Sequence, residues 1–359
     1  MFSRLVALSL VAVFLISPGC SARESSRARA LVREAVATLA RETLEADRVD
    51  WPALESRMLA RLPPDASLDD ARKSINEAVA ALGDRHARFT PPSLPARSSP
   101  APPSEASAAA ADAAQPAASP VVTRRVPDLP EGAMLDTHVA YVVAPGCAAP
   151  SVDGLRIYAR AAVDLIETLH KQQPRGWIID LRLNSGGNIW PMLLGFRPLL
   201  RNGVVSTMIG GPRSDAFGVN ADAAWMGTTE GPAPQLTWGE VPTGHTAIID
   251  APVAVLIDRW TMSSGEGLAI AFRVRPVVRF FGGSTSGLTT VTNSYRLSDG
   301  STLLLPVAQM GDADGRPVYG AIAPDQLVEM GDWPASDDAA SRAAAAWILA
   351  QALSNDAPR

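Results

Sequence analysis

The chain has 359 residues, of which 47% are hydrophobic and 19% charged, with a formal net charge of −5. That is enough apolar material for one large globular core with smaller parts attached, and the mild acidity argues against a nucleic-acid partner. Two cysteines, Cys20 and Cys147, give no disulfide framework, and Lys73 and Lys171 are the only lysines among 32 basic residues.

Met1–Cys20 carries Arg4 and then an apolar run from Leu5 to Ile16. The run is too short for a stable membrane anchor but fits a secretory signal, so residues 1–20 are expected to direct export to the periplasm or cell envelope of a bacterium. Ile16-Ser17-Pro18-Gly19-Cys20 resembles a bacterial lipobox, which would make Cys20 a lipidation site and anchor the chain to a membrane. Cleavage after Ala22 is the alternative.

Residues 21–92 form a helical N-terminal part. Apolar spacing predicts helices over Ala30–Leu44, Trp51–Leu62 and Ser67–Leu82, with Pro52 in a first turn and Asp69 and Asp70 suiting a helix N-terminus. This part ends in Leu82-Gly83-Asp84-Arg85-His86-Ala87-Arg88-Phe89. Residues 93–124 are rich in Ala, Pro and Ser and read as a linker with little to bury. The core covers 125–355. Strands are predicted at Ala140–Val143, Gly176–Leu183, Val204–Ile209, Val253–Ile257 and Val277–Phe281, and helices at Ser151–Gln172, Trp190–Leu200 and Ala339–Leu353. Phe217–Thr246 reads as loop, and Val291–Leu297 with Thr302–Val307 reads as a hairpin. Strands alternating with helices make the class α/β.

Three stretches carry chemistry. In Val253–Arg273 a buried strand breaks at Thr261–Gly265 and resumes as helix at Gly267. The turn projects Ser263, and the unpaired N–H groups of a helix N-terminus face the same space, where they can hold an oxyanion. Ser263-x-x-Glu266 is equally the pattern of a capping box without catalytic duty. Asp180-Leu181-Arg182-Leu183-Asn184-Ser185-Gly186-Gly187 ends a second buried strand in a glycine turn, which offers either more oxyanion donors or only a tight bend. His86 follows a helix among charges, as a general base or a capping residue would. Its competitors are His138, His170 and His245. No HExxH or CxxC spacing suggests a metal site, and no cofactor is expected.

The order of these stretches resembles the tail-specific (C-terminal processing) serine peptidase family. DLRLNSGG resembles its D-L-R-x-N-x-G-G, WTMSSGE its T-x-S-x-x-E, Gly282–Gly287 its G-x-x-T-x-G, and Ala321–Asp325 its G-V-x-P-D with alanine at the glycine position. LGDRHARF resembles the L-x-D-x-H of the histidine-using, tricorn-core-like branch, and no stretch has room for a PDZ module. The resemblance implies a crotonase/ClpP-like spiral core and an exported serine endopeptidase acting on polypeptides. It implies Ser263 as nucleophile and His86 as base. The oxyanion donors would be the N–H groups of Gly186 or Gly187 and of Ser264. Leu288 occupies the place of the general-base lysine in the other branch. Arg85 stands where the tricorn-like tetrad has a serine, so the acid orienting His86 is left open among Asp84, Asp312 and Asp325. A non-catalytic peptide- or ligand-binding protein on the same scaffold is the alternative.

Overall fold

A computed structural model describes residues 18–44, 46–92, 126–135, 138–210, 215–228, 231–239, 247–329 and 336–356. The signal segment before residue 18, the linker from residue 93 to 125, and His245 lie outside them, as does the side chain of Cys20. In chain order the elements are α1 (Pro18–Glu42), α2 (Trp51–Arg61), α3 (Leu68–Ala81), β1 (Arg88–Thr90), β2 (Glu131–Leu135), β3 (Val139–Val143), α4 (Val152–His170), β4 (Gly176–Asp180) and α5 (Ile189–Phe196). They continue as β5 (Gly203–Ile209), β6 (Asp215–Val219), β7 (Ala223–Gly227), β8 (Pro232–Thr237), β9 (Val253–Ile257), α6 (Ser264–Phe272) and β10 (Val278–Gly282). Last come β11 (Thr290–Arg296), β12 (Thr302–Gly311), β13 (Gln326–Leu327) and α7 (Ala339–Asp356).

The chain divides into two compact units, one of residues 1–98 with 293–305 and one of residues 99–292 with 306–359. In the first, Asp50 caps α2 through the Ala53 N–H at 3.0 Å, and Ser67 caps α3 with Asp70 answering as a capping box. The three helices bury Leu31, Val32, Leu39, Met58, Ile75 and Val79 against Phe89 of β1 and against Leu297, Leu303 and Leu305 of the β11–β12 hairpin. β1 pairs antiparallel with the first half of β12, Phe89 opposite Leu303. Arg72 on α3 fastens the hairpin turn through Asp299 at 2.8 Å.

The second unit is built on a sheet in the order β13-β10-β9-β4-β3-β2, parallel except for the edge strand β2. Strands buried on both faces read as continuous apolar runs, and VAVLI of β9 is wholly buried. Alternation still sorts the side chains. Val253, Val255 and Ile257 join Ala140, Val142, Trp177 and Ile179 in one core, with side chains of α4, α5 and α6. Ala254, Leu256, Ile178, Tyr141 and Phe281 turn the other way, onto Ala340, Ala344 and Ile348 of α7.

Three expectations need correction. The stretch 217–246 is not mostly loop: β6, β7 and β8 form an antiparallel meander off β5. Its residues are Ala-, Gly- and Pro-rich and show little β-branching, so they carry weak strand signals. The turn is secured by Asn220, whose Oδ1 accepts the N–H of Asp222 and of Ala223 at 2.9 Å each. β4 stops at Asp180 rather than Leu183, because the Leu181 carbonyl already serves the turn, accepting the Asn184 N–H at 2.9 Å and Thr261 Oγ1 at 3.0 Å. α1 starts at Pro18, well ahead of Ala30: proline is tolerated in a first turn, and Ala22, Arg23, Glu24, Arg27, Ala28 and Arg29 are good helix formers.

Candidate functional site

β10, β9 and β4 are neighbours in the sheet, so the loops at their C-terminal ends meet. Sites in parallel sheets lie at this edge. The loop after β9 is closed by its own side chains. The Asp258 N–H donates to Thr261 Oγ1 at 3.1 Å, Asp258 Oδ1 accepts the Trp260 N–H at 2.8 Å, and Thr261 Oγ1 donates across to the Leu181 carbonyl at 3.0 Å. Asp258 is 5% exposed, and burial raises its carboxyl to about 6.

This loop delivers Ser263 in the left-handed region, φ 52° and ψ −117°, one of two described non-glycine residues with positive φ. Such a backbone costs on the order of 1–3 kcal/mol and persists only where surrounding bonds overdetermine it. Glu266 supplies those bonds. It is fully buried; Oε2 accepts the N–H of Ser263 at 2.9 Å and of Leu288 at 2.8 Å, and Oε1 accepts Thr285 Oγ1 at 2.5 Å and the Gly287 N–H at 2.8 Å. Burial raises this carboxyl above the ordinary range while the four donors oppose the rise. One carboxylate therefore fixes both the Ser263 backbone and the loop after β10.

The glycine turn after β4 packs directly on Ser263. A β-carbon at Gly186 would lie 2.9 Å from Ser263 Cβ, and one at Gly187 (φ 107°) 2.1 Å from the Cys147 carbonyl oxygen. Ser264 Oγ donates to the Gly187 carbonyl at 2.6 Å, and the Met262 N–H to the Asn184 carbonyl at 2.9 Å, so the two turns are stitched together. Gly186 is a correction. Its N–H donates to Asn184 Oδ1 at 3.0 Å and is spent inside the turn. Of the N–H groups expected to hold an oxyanion, those of Gly187 and Ser264 remain as candidates. Asn184 is the residue that sequence reasoning passed over: its Nδ2 donates to the Ala144 and Pro145 carbonyls at 3.0 and 3.3 Å, which pins the β3–α4 loop.

Behind the turn, Arg182 is fully buried and bidentate to Asp180 at 2.9 and 2.6 Å, with Asp338 at 2.5 Å on its far side. Tyr141 donates its hydroxyl to Asp180 at 2.5 Å. The motif's Asp and Arg are thus the frame of the loop rather than its chemistry.

His86 belongs to the first unit, where it is 9% exposed and its backbone N–H donates to Asp84 Oδ1 at 2.7 Å. Burial holds its imidazole below the usual 6.5; Arg88 acts in the same direction and Asp84 against both. Two of the candidate orienting acids are engaged elsewhere. Asp325 takes Arg273 at 2.8 Å and the Phe280 N–H at 2.7 Å. Asp312 closes its own turn through the N–H groups of Asp314 and Arg316 at 2.9 Å each. Among the described residues no group of three or more His, Cys, Asp and Glu could hold a metal ion.

The family model described as peptidase family S41 matches residues 130–328. The chain is 36% identical over 156 residues to a nisin-resistance protein of Lactococcus lactis subsp. lactis, a match taking in 41% of this chain and 44% of that protein. It therefore matches less than half the length of that relative. Among solved structures, a lipoprotein from Streptococcus agalactiae is similar at a TM-score of 0.64 and 19% identity, covering 95% of this chain and 100% of that one. A photosystem II D1 C-terminal processing protease is similar at 0.55 and 16% identity, covering 84% and 93%. These two share the mixed α/β fold with the chain.

Proposed function

The chain belongs to peptidase family S41, and from that membership we propose that it is a serine endopeptidase in which Ser263 is the nucleophile and His86 the general base. The observation that carries this is the strained Ser263 backbone, locked by Glu266 beside the N–H groups of Gly187 and Ser264. Ser263 Oγ attacks the peptide carbonyl and passes its proton to the neutral imidazole of His86. The tetrahedral oxygen takes the two N–H donors, which are fixed before charge develops and so cost no reorganisation. The imidazolium then protonates the leaving amine, and water releases the acyl group by the reverse steps. The family's other branch uses a lysine, whose place here is taken by Leu288, and Leu288 serves Glu266 through its backbone N–H. Asp84, already bonded to the His86 backbone, is the acid best placed to support the imidazolium.

Export to a bacterial cell envelope, with Cys20 lipidated, is part of the same reading. It is supported by the apolar N-terminus and by the nature of two relatives, one a lipoprotein and one a nisin-resistance protein. The polypeptide substrate would be met outside the cytoplasm.

The test is covalent labelling of the mature protein by a fluorophosphonate, beside Ser263→Ala, Ser264→Ala and His86→Ala. Wild type and Ser264→Ala are expected to label, and the other two are not. A folded wild type that stays unlabelled would overturn the reading and leave peptide binding without cleavage. Labelling is expected to weaken on acidification along a limb below the ordinary histidine value, as the lowered His86 pKa requires.

A further inference from the structure

Asp338 stands just before α7, outside every motif singled out in the sequence, and its two oxygens have different partners. Oδ1 accepts the Ser341 N–H at 2.8 Å, and the Asp338 carbonyl accepts the Arg342 N–H at 2.9 Å, which is the pattern of a helix N-cap. Oδ2 accepts from Arg182 Nη1 at 2.5 Å, with the Asp338 side chain 15% exposed. A cap needs no guanidinium, so this second bond lies outside the requirements of the helix. It reaches 156 residues back, to the turn that follows β4.

Arg182, fully buried, thus lies between two carboxylates: Asp180 through Nε and Nη2, and Asp338 through Nη1. A third carboxyl feels the same charge, since Arg182 lowers the pKa of Asp258 and Asp180 raises it. Asp258 is occupied in the Ser263 loop, where its Oδ1 accepts the Trp260 N–H. A buried guanidinium that loses one carboxylate draws on another, because an uncompensated charge there is costly. Without Asp338, Arg182 would pull Asp258 out of the loop.

We propose that Asp338 is a positioning residue for the reaction: by holding Arg182 Nη1 it keeps the guanidinium off Asp258, and so leaves Asp258 to shape the loop that carries Ser263. The effect on the reaction rests on the serine peptidase reading; the contacts do not. The start of α7, a helix packed on the far face of the sheet from α4, α5 and α6, is in this way part of the support of the site.

Asp338→Ser keeps a capping oxygen for the Ser341 N–H and removes the carboxylate. In the full chain at pH 8 it is expected to slow fluorophosphonate labelling by roughly 10- to 100-fold, the scale of a displaced reacting group. A merely loosened α7 would also slow labelling, so the deciding readout is the double variant Asp338→Ser/Asp258→Asn, in which the amide offers Arg182 no charge. Its labelling is expected to return to within about threefold of Asp258→Asn alone, whereas losses from two independent faults would multiply. Urea unfolding at pH 8 reads the same coupling without catalysis. Asp258→Asn is expected to raise the midpoint in the wild-type background and to lower it in the Asp338→Ser background. Asp338→Asn, which keeps Oδ1 for the cap, replaces Asp338→Ser in both cycles should the serine variant fail to fold. Unaltered labelling in the single variant, multiplied losses in the double, or the same midpoint shift in both backgrounds would overturn the proposal, while a labelled wild type left the serine reading intact. If wild type does not label, the serine reading falls, and the unfolding cycle alone decides whether Asp338 keeps Arg182 from Asp258.

Discussion

Asp258 gives the sharpest quantitative test of how the loop carrying Ser263 is held. Its carboxyl is 5% exposed and is raised by burial to about 6 against an ordinary value of 3.8, with Arg182 opposing the rise and Asp180 adding to it. The folded protein therefore holds this proton more tightly than the unfolded chain. The contribution to stability is fully present below about pH 4 and is lost as pH rises through about 6. A difference of about two in pKa is worth about 3 kcal/mol, an upper figure for the cost of keeping the carboxylate ionised in place at pH 8. Asp258→Asn removes the titration yet keeps an Oδ1 to accept the Trp260 N–H. Urea unfolding followed by tryptophan fluorescence from pH 4 to 8 checks this. The variant is expected to be more stable than wild type by about 2–3 kcal/mol at pH 8, with the gain shrinking toward zero near pH 4. A stability difference that does not change with pH, or a variant weaker than wild type at pH 8, would refute the reasoning.

In Glu266→Gln, either orientation of the amide turns an NH2 group toward two donors. Each unsatisfied buried donor costs about 1–3 kcal/mol, so a loss of about 2–6 kcal/mol is expected in urea unfolding. Fluorophosphonate labelling should also fall at least tenfold, because Ser263 loses its backbone anchor; normal labelling would contradict the role given to Glu266. Arg182→Met strands the buried Asp180 and should cost about 3–5 kcal/mol in thermal or urea unfolding. Gly187→Ala would force a β-carbon into the Cys147 carbonyl at a φ of 107°. It should abolish labelling even in protein that keeps a normal circular dichroism spectrum, and full labelling would show that the turn is softer than described.

The elements that frame the site were legible because their signals are local. VAVLI followed by T-x-S-x-x-E announces a buried strand, a turn and a helix, and the structure has β9, the Asp258–Ser263 loop and α6 there. What the sequence hid is long-range bonding. Nothing in Asn184 announces that its side chain spends the Gly186 N–H, and nothing in Thr285 announces that it serves a glutamate nineteen residues earlier. Asp312 and Asp325 look like free acids in the sequence because the arginines and backbone N–H groups that engage them are visible only in three dimensions. The meander β6–β8 was hidden for another reason: its stability comes from pairing and from close packing such as Trp225 over Gly218, not from strand-forming residues.

The core of the N-terminal helices is closed by Leu297, Leu303 and Leu305, about 200 residues beyond Phe89. At a synthesis rate of roughly 5–20 residues per second, that hairpin follows the helices by about 10–40 s. During that interval the helices cannot bury their apolar face against its permanent partner, so the segment nearest the ribosome's first output is among the last to finish. If the chain is exported unfolded, as proposed above, the delay holds the leading end in a threadable state. It also means that the helical part has no independent existence as a linear fragment: cutting the chain after residue 92 leaves an open face on both pieces.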